Sequence, residues 1–128
     1  MAILLDTHIF LHMIGDAERL SSEQRAAIDE PRNNLFFSLA SVWEIAIKYR
    51  LGKLKLPFPP SALFPSQLQH FRIELLPITL AHVLHVEELP IHHHDPFDRL
   101  IIAQARILNM PLMSSDQHFS SYNIQLIR

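Results

Sequence analysis

The stretch AILLDTHIFLHMIG, residues 2–15, decides the fold. A short apolar run ends in Asp6, as a buried parallel strand does at its carboxyl end, and THIFLHMI then carries helical apolar spacing until Gly15 breaks it. The unit is a strand-to-helix turn with Asp6 at its corner. The same grammar returns in PLMSSD, residues 111–116, an apolar strand ending in Asp116.

Between these ends the elements alternate. NLFFS (34–38) and IELLP (73–77) read as strands, and NIQLI (123–127) as a strand closing the sheet. SSEQRAAIDE (21–30) reads as a helix capped by Ser21 or Ser22, with Pro31 after it; ASVWEIAIKYRLG (40–52) is a helix ended by Gly52. TLAHVLHVEEL (79–89) opens with Thr79 as a cap, and PFDRLIIAQARILN (96–109) is the longest helix. KLKLPFPPSALFP (53–65) holds four of the nine prolines and predicts an irregular excursion with a short helix after Ser61. Strands alternating with helices predict an α/β sandwich around a parallel sheet. On a helical wheel Asp98, Arg99, Arg106 and Asn109 fall within a sector of roughly 100 degrees, with Gln104 opposite and the rest apolar. That helix should be mostly buried.

Composition sets the outer bounds. At 128 residues and 48% hydrophobic content the chain supports one domain with a real core, over residues 1–128. It has no cysteine, which excludes disulfides and thiolate metal sites and leaves a cytoplasmic location as the default. The apolar N-terminus lacks a basic n-region and carries Asp6, so it is a poor signal peptide; no segment reaches the ~18 apolar residues of a membrane span. The formal net charge of −2 gives no global attraction to nucleic acid. A local basic patch, Lys48, Arg50, Lys53 and Lys55, is either an RNA-binding surface or a solvated helix end whose cations suit the C-terminal dipole.

The acids form the chemical pattern. In DPFDR, residues 95–99, Asp95 suits an N-cap, Pro96 the first helical position and Asp98 the first turn, so capping alone explains both acids. Yet in an open α/β sheet the ligand crevice lies beyond the carboxyl ends of the strands. Asp6 and Asp116 end strands, Asp98 opens a helix, and Glu44 lies one turn into its helix on the stripe Ser41, Glu44, Lys48. Four carboxylates gathered in one place repel, and a hard divalent cation usually offsets the repulsion. All-oxygen ligands point to Mg²⁺ or Mn²⁺, an arrangement suited to phosphodiester hydrolysis. Taken singly, Asp6 and Asp116 are also explained as loop caps, and Glu44 as an i, i+4 partner of Lys48.

At this point the chain resembles a known family, the PIN-domain ribonucleases, and among them the VapC-like toxins of type II toxin-antitoxin pairs. LLDTHIFL resembles the family's opening strand and first acid, SVWEIAIKYRLGKLKL its second acid, HDPFDRLIIAQA its third and LMSSDQHFSSY its closing motif. The resemblance implies a PIN-like three-layer sandwich with a central parallel sheet flanked by helices. It implies Asp6, Glu44, Asp98 and Asp116 as catalytic, metal-binding acids, Thr7 and Ser114 as supporting hydroxyls, and Asp95 as a cap with an outer-shell role. It implies Mg²⁺-dependent cleavage of RNA, a cognate antitoxin protein that covers the site, and a homodimer; no membrane association is expected, from the lack of a long apolar segment.

The remaining residues are read around that pattern. His92, His93 and His94 suit a transition-metal site by residue type, but adjacent residues in an extended loop alternate direction and do not converge on one ion, so a solvated loop is expected. His8 and His12, one helical turn apart, are expected to be structural. Trp43 and the Phe residues read as core or interface, and Trp43, Phe58 or Phe64 is a candidate apolar anchor for the antitoxin, because the proline-rich excursion is hard to bury fully. A haloacid-dehalogenase-type phosphatase needs a second Asp two residues after the first, where this chain has His8. The alternative to a nuclease is a non-catalytic RNA- or protein-binding module on the same fold, whose signature would be loss of one of the four acids.

Overall fold

The computed structural model describes all 128 residues. Five parallel strands, β1 (Ala2–Leu5), β2 (Asn34–Ser38), β3 (Ile73–Leu76), β4 (Leu112–Met113) and β5 (Leu126–Ile127), lie in the order β3-β2-β1-β4-β5. Six α-helices accompany them: α1 (Thr7–Gly15), α2 (Ser22–Asp29), α3 (Leu39–Arg50), α4 (Pro60–Phe71), α5 (Leu80–His85) and α6 (Pro96–Leu108). None is long and apolar enough to cross a membrane.

The period-2 alternation of a strand splits β1 between two cores. Ile3 and Leu5 join Leu35, Phe37, Ile73 and Met113 under α1 and α4. Leu4 points to the other face, where it meets Leu112 and the buried stretch of α6, Ile101, Ile102, Ala103 and Ala105. The result is the expected three-layer sandwich. On the first face Phe10 stacks on Phe37 and Phe64, with ring centroids 4.7 and 5.2 Å apart.

Most elements fall where the sequence places them, and their ends obey the expected chemistry. Ser21 and Gln24 close a capping box at the start of α2, and Thr79 caps α5. Asn109 ends α6 in the left-handed conformation, with φ 52°. Several local readings change. The strand expected over 123–127 is only Leu126–Ile127, and the helix expected over 79–89 is α5 followed by a 3-10 turn, Val86–Glu88. Helix α1 runs through Gly15 rather than stopping before it. The proline-rich segment is less irregular than expected, because α4, 12 residues long, starts inside it at Pro60 and continues to Phe71. Pro60 stands at the first helical position, where its missing N–H costs nothing, and Pro65 removes only one backbone bond in a helix whose Leu63 and Phe64 are buried. Phe64 is therefore a core residue, 6% exposed, and unable to serve as a surface anchor. Trp43 and Phe58 remain 59% and 60% exposed.

Candidate metal centre

The sheet order places β1 beside β4, with Leu4 paired to Leu112 and Leu5 to Met113. From β1 the chain proceeds one way to β2 and β3, while β4 and β5 lie on the other side, so the β1/β4 boundary is the switch point where such sheets open a crevice. Asp6 and the Ser114–Asp116 turn leave the sheet at that boundary. The N–H of Asp6 donates to the Met113 carbonyl at 3.0 Å, tying the two strand ends together.

Hydroxyls then fix the acids. Ser114 Oγ donates to Asp6 Oδ2 at 2.9 Å and accepts the N–H of Asp116 at 3.0 Å, so one side chain sets the spacing of two carboxylates. Thr7 Oγ1 donates to Glu44 Oε1 at 2.9 Å and lies 2.8 Å from Ser41 Oγ, joining α1 to α3. The other oxygen of Glu44 takes the Lys48 ammonium one turn along α3. The i, i+4 pair and the place in the acid cluster thus coexist. Asp95 caps α6, accepting from the N–H groups of Phe97 and Asp98 at 2.9 and 3.3 Å, which aims Asp98 from the first turn. Asp116 accepts from the N–H of His118 at 2.9 Å and so also caps the 3-10 turn Gln117–Ser121.

The electrostatics record the crowding. Burial, then the charges of Asp6, Asp95, Glu44 and Asp116, pushes the Asp98 carboxyl up to about 8. Asp6 is likewise raised, chiefly by burial, against the lowering effect of the Ser114 hydrogen bond. Asp116 is also penalised by burial, but hydrogen bonds from His118 outweigh this and hold it below the usual range. Lys48 is raised by its bond to Glu44 and by the nearby charges of Asp95 and Asp98. All four acids therefore lie in one electrostatic neighbourhood.

A divalent cation fits this arrangement. Asp6 is 2% exposed, and its Oδ1 is buried with no hydrogen-bond partner. Such an atom is costly unless something positive meets it. Together with the raised Asp98 it marks a donor set whose negative charge Lys48 offsets only in part, and every acid in it offers the hard oxygen ligands that Mg²⁺ or Mn²⁺ takes.

Other side chains fall differently. His92 and His94 are exposed, as a solvated loop requires, but His93 is turned inward. Its Nε2 lies 2.9 Å from Asp98 Oδ2 and 3.8 Å from Asp116 Oδ2. The expectation of a solvated position fails for this residue, because Tyr122 Oη accepts the His93 N–H at 2.9 Å and Arg99 donates to its carbonyl at 3.2 Å. The local signal that points this way is alternation, which turns the middle residue away from the direction of its two neighbours. Arg99 is visible in the sequence as part of a polar stripe; in the fold its guanidinium also holds the carbonyls of Val86, Leu89 and Pro90. His118, 2.9 Å from Asp116 through Nδ1, is a further neighbour that no sequence pattern singles out. His8 is exposed beside the crevice, and His12 is partly buried, with burial lowering its pKa. In the basic patch Lys48 is engaged by Glu44, whereas Arg50, Lys53 and Lys55 are exposed.

The PIN domain family model matches residues 3–124. The chain belongs to the PIN-domain family. A relative from Mycobacterium tuberculosis, Ribonuclease VapC16, is 41% identical over 64 residues, a match taking in 50% of this chain and 45% of the relative, so the chain spans less than half of that protein's length. Two solved structures share the PIN fold throughout. VapBC2 from Rickettsia felis, bound to a promoter DNA fragment, superposes with a TM-score of 0.72 at 20% identity, covering 98% of this chain and 97% of that one. FitAcB from Neisseria gonorrhoeae superposes with a TM-score of 0.70 at 18% identity, covering 98% and 96%.

Proposed function

We propose that this PIN domain is a Mg²⁺-dependent endoribonuclease, with Mn²⁺ an acceptable substitute, acting as the toxin of a toxin-antitoxin pair in the cytoplasm. The observation that carries the reading is the crowding of Asp6, Glu44, Asp98 and Asp116, with an unpartnered Asp6 oxygen and an Asp98 carboxyl raised to about 8. The name of the Mycobacterium tuberculosis relative and the two-protein complexes among the structural neighbours support the choice of reaction and partner.

In this mechanism the four acids hold the cation, which when bound supplies Lewis-acid polarisation of a phosphoryl oxygen and activates water for attack. Ser114 keeps Asp6 and Asp116 in register, and Thr7 does the same for Glu44. Asp95 acts through the helix start, orienting Asp98 without binding the ion. Lys48 balances part of the acidic charge at the crevice edge, and Arg50, Lys53 and Lys55 meet the RNA backbone as it approaches.

The antitoxin inserts a cationic group among the acids, excluding the metal. Its apolar part rests on exposed Trp43 and Phe58. Trp43 also borders a cavity of about 240 Å³ lined by Val83, Val86, Phe97 and Leu100, a surface that suits a homodimer or the same partner. A non-catalytic module is disfavoured because all four acids are present and gathered.

Incubating the purified chain with total RNA, with and without Mg²⁺, and mapping the cut ends tests the reaction. Metal-dependent cleavage at defined sites is expected. Intact RNA in both arms would refute it. Co-expression with the product of the adjacent gene tests the toxin role: a bound partner that restores growth is expected, and no effect on growth in either case would overturn it.

A further inference from the structure

His93 is fixed from every side. Its N–H is bonded to Tyr122, its carbonyl to Arg99, and its Nδ1 accepts the N–H of Asp95 at 3.2 Å. Its ring packs against His118 and Phe119, with centroids 5.2 and 5.9 Å away. A residue so anchored has a specified ring orientation.

The Nδ1 bond settles which nitrogen carries the proton. A ring nitrogen that accepts from a backbone N–H presents a lone pair, so in the neutral imidazole the proton sits on Nε2. That nitrogen is buried, 2.9 Å from Asp98 and 3.8 Å from Asp116, yet makes no aligned hydrogen bond to either. The short distance and the missing bond agree once the N–H is read as pointing between the two acids. His93, Asp116 and His118 place donor atoms within 4.8 Å of one another, a spacing that on distance alone suits a transition-metal site. Proton placement argues against His93 as a ligand there, because ligation through Nε2 would need that lone pair free and the Asp95 bond broken.

We infer that His93 is a positioning residue for the metal centre, its Nε2–H held between Asp98 and Asp116 to keep the two carboxylates at their working separation. The inference rests on the four-carboxylate reading of the site. The N–H dipole offsets repulsion between acids that otherwise face each other as acceptors, and Arg99 and Tyr122 matter to the site through the loop that carries His93. Removal of such an outer partner of metal ligands typically weakens metal binding or activity by about 10- to 100-fold.

The test is Mn²⁺ binding to the intact chain, monitored by electron paramagnetic resonance, for the wild type, His93→Ala, His93→Gln and Asp98→Asn, with circular dichroism to confirm folding. A glutamine amide nitrogen can take the place of Nε2 as a neutral donor. His93→Ala is expected to weaken Mn²⁺ binding about 10-fold, and His93→Gln to recover most of that loss. Equal binding by the wild type and both His93 variants would overturn the inference while leaving the acid site standing. Failure of the wild type to bind, or undiminished binding by Asp98→Asn, would instead sink the four-carboxylate reading. A ¹⁴N modulation on bound Mn²⁺ that vanishes in His93→Ala would make His93 a ligand, and that too would overturn the inference.

Discussion

Helix α6 has polar chemistry on two sides, and the two sides are finished differently. On one side Gln104, fully buried, donates through Nε2 to the Pro77 carbonyl at 3.2 Å and lies 3.2 Å from His82 Nδ1. His82 in turn closes a reciprocal cap with Thr79. Neutral groups there carry both donors and acceptors, and only Gln104 Oε1 is left without a partner. On the other side Asp98 faces Asp6, Glu44 and Asp116, and these carboxyls repel one another once ionised, which is why Asp98 holds its proton up to about 8. The first cluster is neutral and bonded within the chain apart from that one oxygen, whereas the second gathers carboxylates whose mutual repulsion the chain only partly offsets.

Changing the acids is expected to have the largest effect. Asp6→Asn or Asp98→Asn keeps shape and removes charge, so RNA cleavage should drop by about 100-fold or more while the melting temperature holds or rises as repulsion is relieved. A cleavage assay and a thermal melt on the same preparations check both halves. A variant that cuts at the original rate would break the contrast.

Gln104→Ala probes the opposite side. Removing the amide strips the Pro77 carbonyl of its donor and should cost about 1–3 kcal/mol of stability in a denaturant titration. Turnover per folded molecule should not change. If it fell with the stability, the two sides of α6 would not be separable.

The acids also set the pH dependence. Asp98 loses its proton near its ordinary value in the unfolded chain but only at about 8 in the folded one. The folded state binds more protons between those values, so stability of the metal-free protein should fall as pH rises from about 4 to about 8. Asp116, held low, contributes the opposite sign only below that window, and His12, lowered by burial, opposes it inside the window with a smaller shift than that of Asp98. Saturating Mg²⁺ should remove the decline. Melting curves at pH 5 and pH 8, with and without the ion, would expose an error if the metal-free protein were the more stable at pH 8.

Asp95→Asn should have the smallest effect. Asn caps nearly as well, so stability should stay within a few tenths of a kcal/mol and activity should fall only in part. An inactive Asp95→Asn beside an active Asp98→Asn would reverse the two roles.

A feature is legible in the sequence to the extent that its signal is local. The β1–α1 turn with Asp6 and the α6 start with Asp95, Pro96 and Asp98 are written in contiguous residues, and the fold reproduces them. Glu44 is readable as a helix-face acid, but its contact with Thr7 crosses 37 positions, and the Ser114–Asp6 bond crosses 108. The inward turn of His93 is hidden, since it depends on Tyr122 and Arg99 arriving from elsewhere in the chain. Helix α4 is under-read because its prolines are local breakers, whereas Phe64 packing on Phe10 and Phe37 is a tertiary effect.

The most direct test is calorimetric titration of Mg²⁺ into the purified chain at pH 7, in two buffers of different ionisation enthalpy. Metal ligands must be deprotonated to bind, and at this pH the Asp98 carboxyl, raised to about 8, still holds most of its proton. Binding with release of about one proton per ion is expected from that shift. Binding with no proton release, or no binding at all, would contradict a crowded carboxylate site completed by a cation.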